Sequence, residues 1–203
     1  MNALKTLLTM AALLLLIGCA SVTEAPPAPA APPMPPRVEM KTSMGSFVIE
    51  LYPDKAPVTV ANFLQYVTDG FYDGMIFHRV VRKFIVQGGG HLQDMTMKLP
   101  RESIANESNN GLKNETGTIA MARFSLAGSA NSQFYINVAD NQELDYSPPQ
   151  TPGYAVFGKV VSGMEVVTAI SKVKTGYGKG SRTDDVPKTL IIIESARIVE
   201  PAN

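Results

Sequence analysis

Residues 77–89, Phe-His-Arg-Val-Val-Arg-Lys-Phe-Ile-Val-Gln-Gly-Gly, set Arg79, Phe84 and Gln87 among alternating apolar positions that read as a strand pair. Arg79 supplies a permanent cation with a rigid fork of donors, Phe84 an aromatic wall, and Gln87 an amide that both donates and accepts. Such a set can bind and polarise a peptide group and calls on neither a metal nor a nucleophile. Taken singly, each residue has a plainer reading: Arg79 as a surface ion-pair partner, Phe84 and Tyr135 as ordinary core aromatics. His78 stands beside apolar residues on a strand, the setting of a satisfied structural histidine, and is left out of the catalytic set. His78, His91 and Asp94 match no metal-ligand spacing, so neither metal nor cofactor is expected. Gly88-Gly-Gly90 has no following Lys-Ser/Thr and no helix pattern, which makes it a strand exit rather than a phosphate loop.

The elements that must hold these side chains are mostly strands. Strand patterns cover residues 37–42, 47–51, 76–80, 85–87, 118–121, 134–138, 155–160 and 190–199, rich in β-branched and aromatic residues and separated by Gly, Asn and Pro. Ser43-Met-Gly-Ser46 reads as a hairpin turn. One helix begins at Pro57, repeats Val60, Phe63, Leu64 and Val67 at helical spacing and stops at Gly70. A second runs from Met164 to Ser171. Eight strands and two helices without strand-helix alternation favour an antiparallel barrel over a parallel sheet, and periodicity alone does not separate barrel from sandwich.

The motif around Arg79 resembles the signature of the cyclophilin family of peptidyl-prolyl cis/trans isomerases. The likeness continues in Gly117-Thr-Ile-Ala-Met-Ala-Arg123, Asn131-Ser-Gln-Phe-Tyr-Ile-Asn137 and Tyr154-Ala-Val-Phe-Gly-Lys-Val160. It covers residues 37–199, and the run from Asn106 to Arg123 is similar to the bacterial exported branch. The resemblance implies a mainly β fold: a closed eight-stranded antiparallel barrel capped by two helices, its interior packed and its peptide site on the outer face. It implies Arg79, Phe84 and Gln87 as catalytic residues, with Ile85, Tyr135 and Leu144 lining the proline pocket beside Phe84. Gln133 matches a polar wall, Tyr154 the rim, and Ala122 with the backbone of Arg123 the edge that pairs with the residue before proline. The implied partners are proline-containing polypeptides, read through main chain. The sequence departs from well-known eukaryotic cyclophilins at Glu143, where they carry tryptophan, at Ile85 for methionine and at Tyr154 for histidine. Loss of the indole implies weak inhibition by cyclosporin. The proline-rich loop 146–153 lies beside the pocket by the same likeness. The alternative function is a catalytically idle cyclophilin-fold binding module or holdase.

The first 36 residues stand apart from the globule. Lys5 precedes an apolar run from Leu7 to Ile17, too short to span a bilayer as a helix and laid out like a secretory signal. Leu16-Ile17-Gly18-Cys19 resembles a bacterial lipobox, and Cys19 is the only cysteine of the chain. The domains expected are a signal over 1–18, a lipidated Cys19 with a Pro/Ala-rich linker over 19–36, and an isomerase domain over 37–203. A signal cut nearby without acylation is the alternative. Acyl chains would anchor the protein without spanning, and Ala20-Ser21 in place of a retention aspartate points to the outer membrane, facing the periplasm. A polyproline spacer from Ala25 to Pro36 would reach on the order of 35 Å at about 3.1 Å per residue. Lysine plus arginine equals aspartate plus glutamate at 18 each, which argues against nucleic acid as a partner. Asn106-Glu-Ser and Asn114-Glu-Thr match the glycosylation pattern and read as loop asparagines. A monomer is expected by default.

Overall fold

The computed structural model describes residues 34–178 and 184–199. The apolar run Leu7–Ile17, Cys19 and the linker up to residue 33 lie outside the described residues. The described elements are β1 (Arg37–Thr42), β2 (Gly45–Leu51), α1 (Pro57–Thr68), β3 (Met75–Ile76), β4 (Arg79–Val81), β5 (Ile85–Gly88), β6 (His91–Leu92), β7 (Thr118–Met121), β8 (Phe134–Asn137), β9 (Val156–Ser162), α2 (Met164–Ile170), β10 (Thr175–Gly176), β11 (Val186–Pro187) and β12 (Ile193–Val199). A 3-10 turn, Gln142–Leu144, precedes β9.

Local chemistry accounts for the boundaries. The β1–β2 turn is held by Thr42, whose hydroxyl donates to the Gly45 carbonyl and accepts from the Met44 amide, with Gly45 at φ +123° where a side chain would be strained. Helix α1 starts at Pro57, which needs no N–H there. Its next two amides donate to the carboxylate of Glu107 at 3.1 and 2.8 Å, so the cap comes from a distant loop. The helix buries Val60, Phe63, Tyr66 and Val67. Phe63 meets the rings of Tyr72, Phe134 and Phe157 at centroid distances of 5.1 to 5.7 Å. Both helices contribute to one interior cluster, α2 through Val167 and Ile170.

The main sheet has eight strands in the order β12-β1-β2-β9-β7-β8-β5-β4, all antiparallel, and its curl wraps the interior cluster. It is open, which corrects the closed barrel expected from the sequence. No ladder joins β4 to β12 among the described residues. The gap is crossed instead by an isolated bridge, Ile76 to Ile192, and by amides of Phe77 and Val80 donating to the carbonyls of Ile191 and Asp185 at 3.0 and 2.8 Å. The reason lies in both edges. The strand read over 76–80 breaks at Phe77-His78 into β3 and β4, and β12 starts at Ile193 rather than Leu190. The free edge of β4 takes Asp185, after which Pro187 in β11 has no N–H to extend a ladder.

Candidate active site

Side chains alternate across the sheet, so one face is the core and the other belongs to the site. Val80, Val86, Ile119, Phe134 and Ile136 point into the interior cluster. Their neighbours form a second, smaller apolar cluster outside it: Ile85, Ala120, Tyr135 and Val156 are buried, with Phe84, Leu112, Ala122, Leu144 and Tyr154 packed against them half-exposed. Six of these nine are candidate site residues named from the sequence: Phe84, Ile85, Tyr135 and Leu144 for the pocket, Ala122 for its edge and Tyr154 for its rim. Ala120 and Val156 complete the floor and carry no distinguishing signal, being small or aliphatic residues on strands. Ala120 stands opposite Tyr135 in the β7–β8 ladder.

A polar row borders this cluster. Arg79 on β4 is the ladder partner of Gln87 on β5, and Gln87 that of Tyr135 on β8. Arg79 Nη1 donates to Gln87 Oε1 at 3.3 Å, and Gln87 Nε2 donates to Gln133 Oε1 at 3.0 Å. On its other side Arg79 Nε reaches Asp185 Oδ2 at 3.3 Å, with 37% of the arginine side chain still exposed. Asp185 is a partner of Arg79 that sequence reasoning missed, since it lies 106 positions away and only folding brings it there. Gln87, Gln133, Ala122, Arg123, Phe124, Ser129 and Asn131 line a pocket of about 200 Å³ at the end of this row.

Arg123 is held to the rim. Its guanidinium lies 4.4 Å from the centre of the Tyr154 ring and donates to the carbonyls of Gly153 and Phe124 at 2.9 Å each. Tyr154 in turn meets Tyr135 edge-on, and its amide donates to the Leu144 carbonyl at 3.0 Å. Ala122 N–H is committed to the Gln133 carbonyl at 2.9 Å.

The glycine run has a steric purpose here. Gly89 sits at φ +79°, and a Cβ there would meet the Ser132 carbonyl at 2.6 Å. A Cβ on Gly90 would stand 2.6 Å from Gln133 Cδ, so this glycine leaves the room in which the Gln133 amide lies.

His78 and His91 pack ring to ring at 4.3 Å, each with a buried Nδ1 that has no hydrogen-bond partner. Burial, followed by the neighbouring His91 and Arg79, drives the His78 pKa down to about 3, and burial lowers that of His91. A neutral imidazole of that kind is a poor base. Among the described residues no group of three or more His, Cys, Asp or Glu is placed to hold a metal ion, and no helix is long and apolar enough to cross a membrane.

The sequence profile of the family described as cyclophilin type peptidyl-prolyl cis-trans isomerase/CLD matches residues 37–198. Peptidyl-prolyl cis-trans isomerase cyp18 of Streptomyces antibioticus is 50% identical over 164 residues, which cover 80% of this chain and 98% of that protein. Peptidyl-prolyl cis-trans isomerase B of Escherichia coli K12 is 49% identical over 165 residues, 80% of this chain and 99% of that one. Among solved structures, a cyclophilin type isomerase of Cryptosporidium parvum determined in the presence of the dipeptide Ala-Pro superposes with a TM-score of 0.66 at 25% identity, over 81% of this chain and 99% of that one. The chain belongs to the cyclophilin type peptidyl-prolyl cis-trans isomerase family, and its enzyme class is that of the family.

Proposed function

We propose that the protein accelerates rotation about X-Pro bonds in exported polypeptides, using Arg79 as its principal catalytic residue, and that it does so from a lipid anchor at Cys19. The observation that carries the catalytic part is the junction of the Arg79–Gln87–Gln133 row with the apolar cluster of Phe84, Ile85, Tyr135 and Leu144. The barrier to peptide rotation, about 18–20 kcal/mol, comes from amide resonance. Rotation frees the nitrogen lone pair from the carbonyl, so a donor at the proline nitrogen and a site shaped to the twisted amide lower it. The proline ring enters the apolar cluster, where burial contributes about 25 cal/mol per Å² and the exclusion of water strengthens the arginine contact. Arg79 donates to the substrate, Gln87 restrains its fork, and Gln133 forms the polar wall. With the Ala122 amide already committed, main-chain contact to the residue before proline falls to Arg123. The reaction needs no proton transfer. An idle binding module or holdase would have no use for a guanidinium beside the amide, which favours the enzyme.

Export and anchoring rest on the sequence: Lys5, the apolar run to Ile17 and Leu16-Ile-Gly-Cys19, followed by a Pro/Ala spacer. In this reading the domain faces the periplasm from the outer membrane and assists the folding of exported proteins.

Two experiments test these parts separately. The full chain should isomerise an Ala-Pro test peptide rapidly, and a folded Arg79→Ala variant about a hundredfold more slowly, equivalent to about 2.7 kcal/mol; equal inertness with retained peptide binding would leave only the binding module. In cells fed labelled palmitate, the wild-type chain should incorporate label and fractionate with the outer membrane, whereas Cys19→Ser should do neither. A wild-type chain that stays unlabelled and soluble removes the anchor and leaves the catalytic reading intact.

A further inference from the structure

Behind the proline pocket lies a set of buried polar side chains that the catalytic reading does not use. Asn114, Asn137, Asn141 and Asp145 are between 0 and 7% exposed. Asn114 is the hub. Its Oδ1 accepts from the Tyr135 hydroxyl at 2.8 Å and from Asn137 Nδ2 at 3.2 Å. Its backbone amide and its Nδ2 both donate to Asp145 Oδ1, at 2.7 and 3.1 Å. Asn137 Nδ2 also donates to Thr118 Oγ1 at 2.9 Å. Asn141 closes the set: its backbone amide donates to the Asn114 carbonyl at 2.8 Å, and its Nδ2 donates to Asn137 Oδ1 at 2.7 Å and to the Phe84 carbonyl at 3.0 Å.

Three walls of the pocket end on this one set. Tyr135 is tied through its hydroxyl, Phe84 through its main-chain carbonyl, and Leu144 through Asp145, the residue that caps the 3-10 turn. The walls come from three separate parts of the chain: the β4–β5 turn, strand β8 and the turn before β9. A buried polar set in which every member is satisfied admits one arrangement, because any wall that moves leaves a donor or acceptor unpaired in a dry environment. Burial, with the nearby Tyr154 and Asp145, also pushes the Tyr135 phenol well above its ordinary range, so it remains a protonated donor.

We propose that Asn114 is a positioning residue for X-Pro isomerisation, clamping Tyr135, Phe84 and the Leu144 turn at the separation a proline ring requires. The proposal rests on the reading of that cluster as the proline pocket. Asn114 itself touches no reacting atom, and its effect on substrate binding passes through the walls it joins.

Tyr135→Phe tests it most cleanly, since the ring stays and only the hydroxyl bound to Asn114 is removed. The full-length variant should keep its fold, and its KM for an Ala-Pro peptide should rise about tenfold with little change in kcat, the factor that one buried hydrogen bond carries. Asn114→Ala should raise KM at least as much. The double variant should be no worse than Asn114→Ala alone, because both remove the same link. Arg79→Ala, measured alongside, should lower kcat instead. A wild-type KM in folded Tyr135→Phe, or strictly additive effects in the double variant, overturns the clamp while a slow Arg79→Ala leaves the site reading standing. A fully active Arg79→Ala overturns the site reading itself. If Asn114→Ala does not fold, Tyr135→Phe alone decides.

Discussion

Arg79 and Gln87 stand directly opposite each other on neighbouring antiparallel strands, and the guanidinium donates to the glutamine carbonyl oxygen at 3.3 Å while its Nε reaches Asp185 at the same distance. The fork is therefore restrained from two sides while more than a third of the arginine side chain stays open to solvent. A planar group held in this way presents donors in a fixed direction, which a lysine ammonium does not.

Arg79→Lys separates charge from geometry. It should recover less than about a tenth of the activity lost in Arg79→Ala, because the ammonium keeps the charge without the fork. Peptide isomerisation rates of the two folded variants check this, and a lysine variant with wild-type kcat would mean that charge alone suffices.

Gly90→Ala introduces a methyl group 2.6 Å from Gln133 Cδ. The obstacle is the end of a flexible side chain, so unfolding free energy should fall by about 1 kcal/mol or less. Gln133 must swing out of the row, and kcat/KM should fall about fivefold to tenfold, the range expected when one hydrogen bond is removed. Denaturant titration and kinetics on the same sample distinguish this from general destabilisation, which would move stability first.

Acid should weaken the fold through His78. Its folded pKa of about 3 lies below the ordinary value of 6.5, so the unfolded chain binds the proton more readily between those values. Stability contributed by the neutral buried imidazole is present above pH 6.5 and is lost progressively as pH falls toward 3. The loss from this residue by pH 5 is about 2 kcal/mol. Denaturant unfolding of the wild type at pH 7 and pH 5, set beside His78→Gln, should show a smaller drop in the variant; identical drops would assign the acid sensitivity elsewhere.

Glu143 is exposed on the 3-10 turn, next to Leu144 of the pocket. By the family resemblance it takes the place of the indole that bonds cyclosporin in the well-known eukaryotic cyclophilins, and on that reading the wild-type chain should bind that macrocycle only at micromolar levels or weaker. Glu143→Trp should tighten binding by about tenfold, one restored hydrogen bond. Calorimetric titration of both chains decides, and nanomolar affinity of the wild type sinks the prediction.

Much of the geometry around the candidate site is legible in the sequence. The ladder pairing of Arg79 with Gln87 follows from eight residues of spacing around a tight turn, and the strands over 37–42 and 118–121 have the ends that their apolar patterns imply. Helix α1 begins at the proline that signals it. The sheet opening is not legible there, because an edge is closed or open according to which distant segment reaches it, and Asp185 reaches β4 first. Asn114 illustrates the same limit. As part of Asn-Glu-Thr it reads as a loop residue, yet it is 2% exposed and holds four hydrogen bonds to Tyr135, Asn137 and Asp145.

By itself, then, the sequence determined the local chemistry: the residue types of the candidate site, the strands and helices that carry them, the family, and the apolar segment from Leu7 to Ile17 ahead of Cys19. Those features depend on side-chain type and on spacings of two to four residues, which a linear pattern records directly. The tertiary structure alone decided that the sheet stays open, that Asp185 restrains Arg79, and that Asn114 joins the pocket walls. Each of these depends on the meeting of segments tens of residues apart, where the partner is selected by packing of the whole chain and not by any neighbour in sequence.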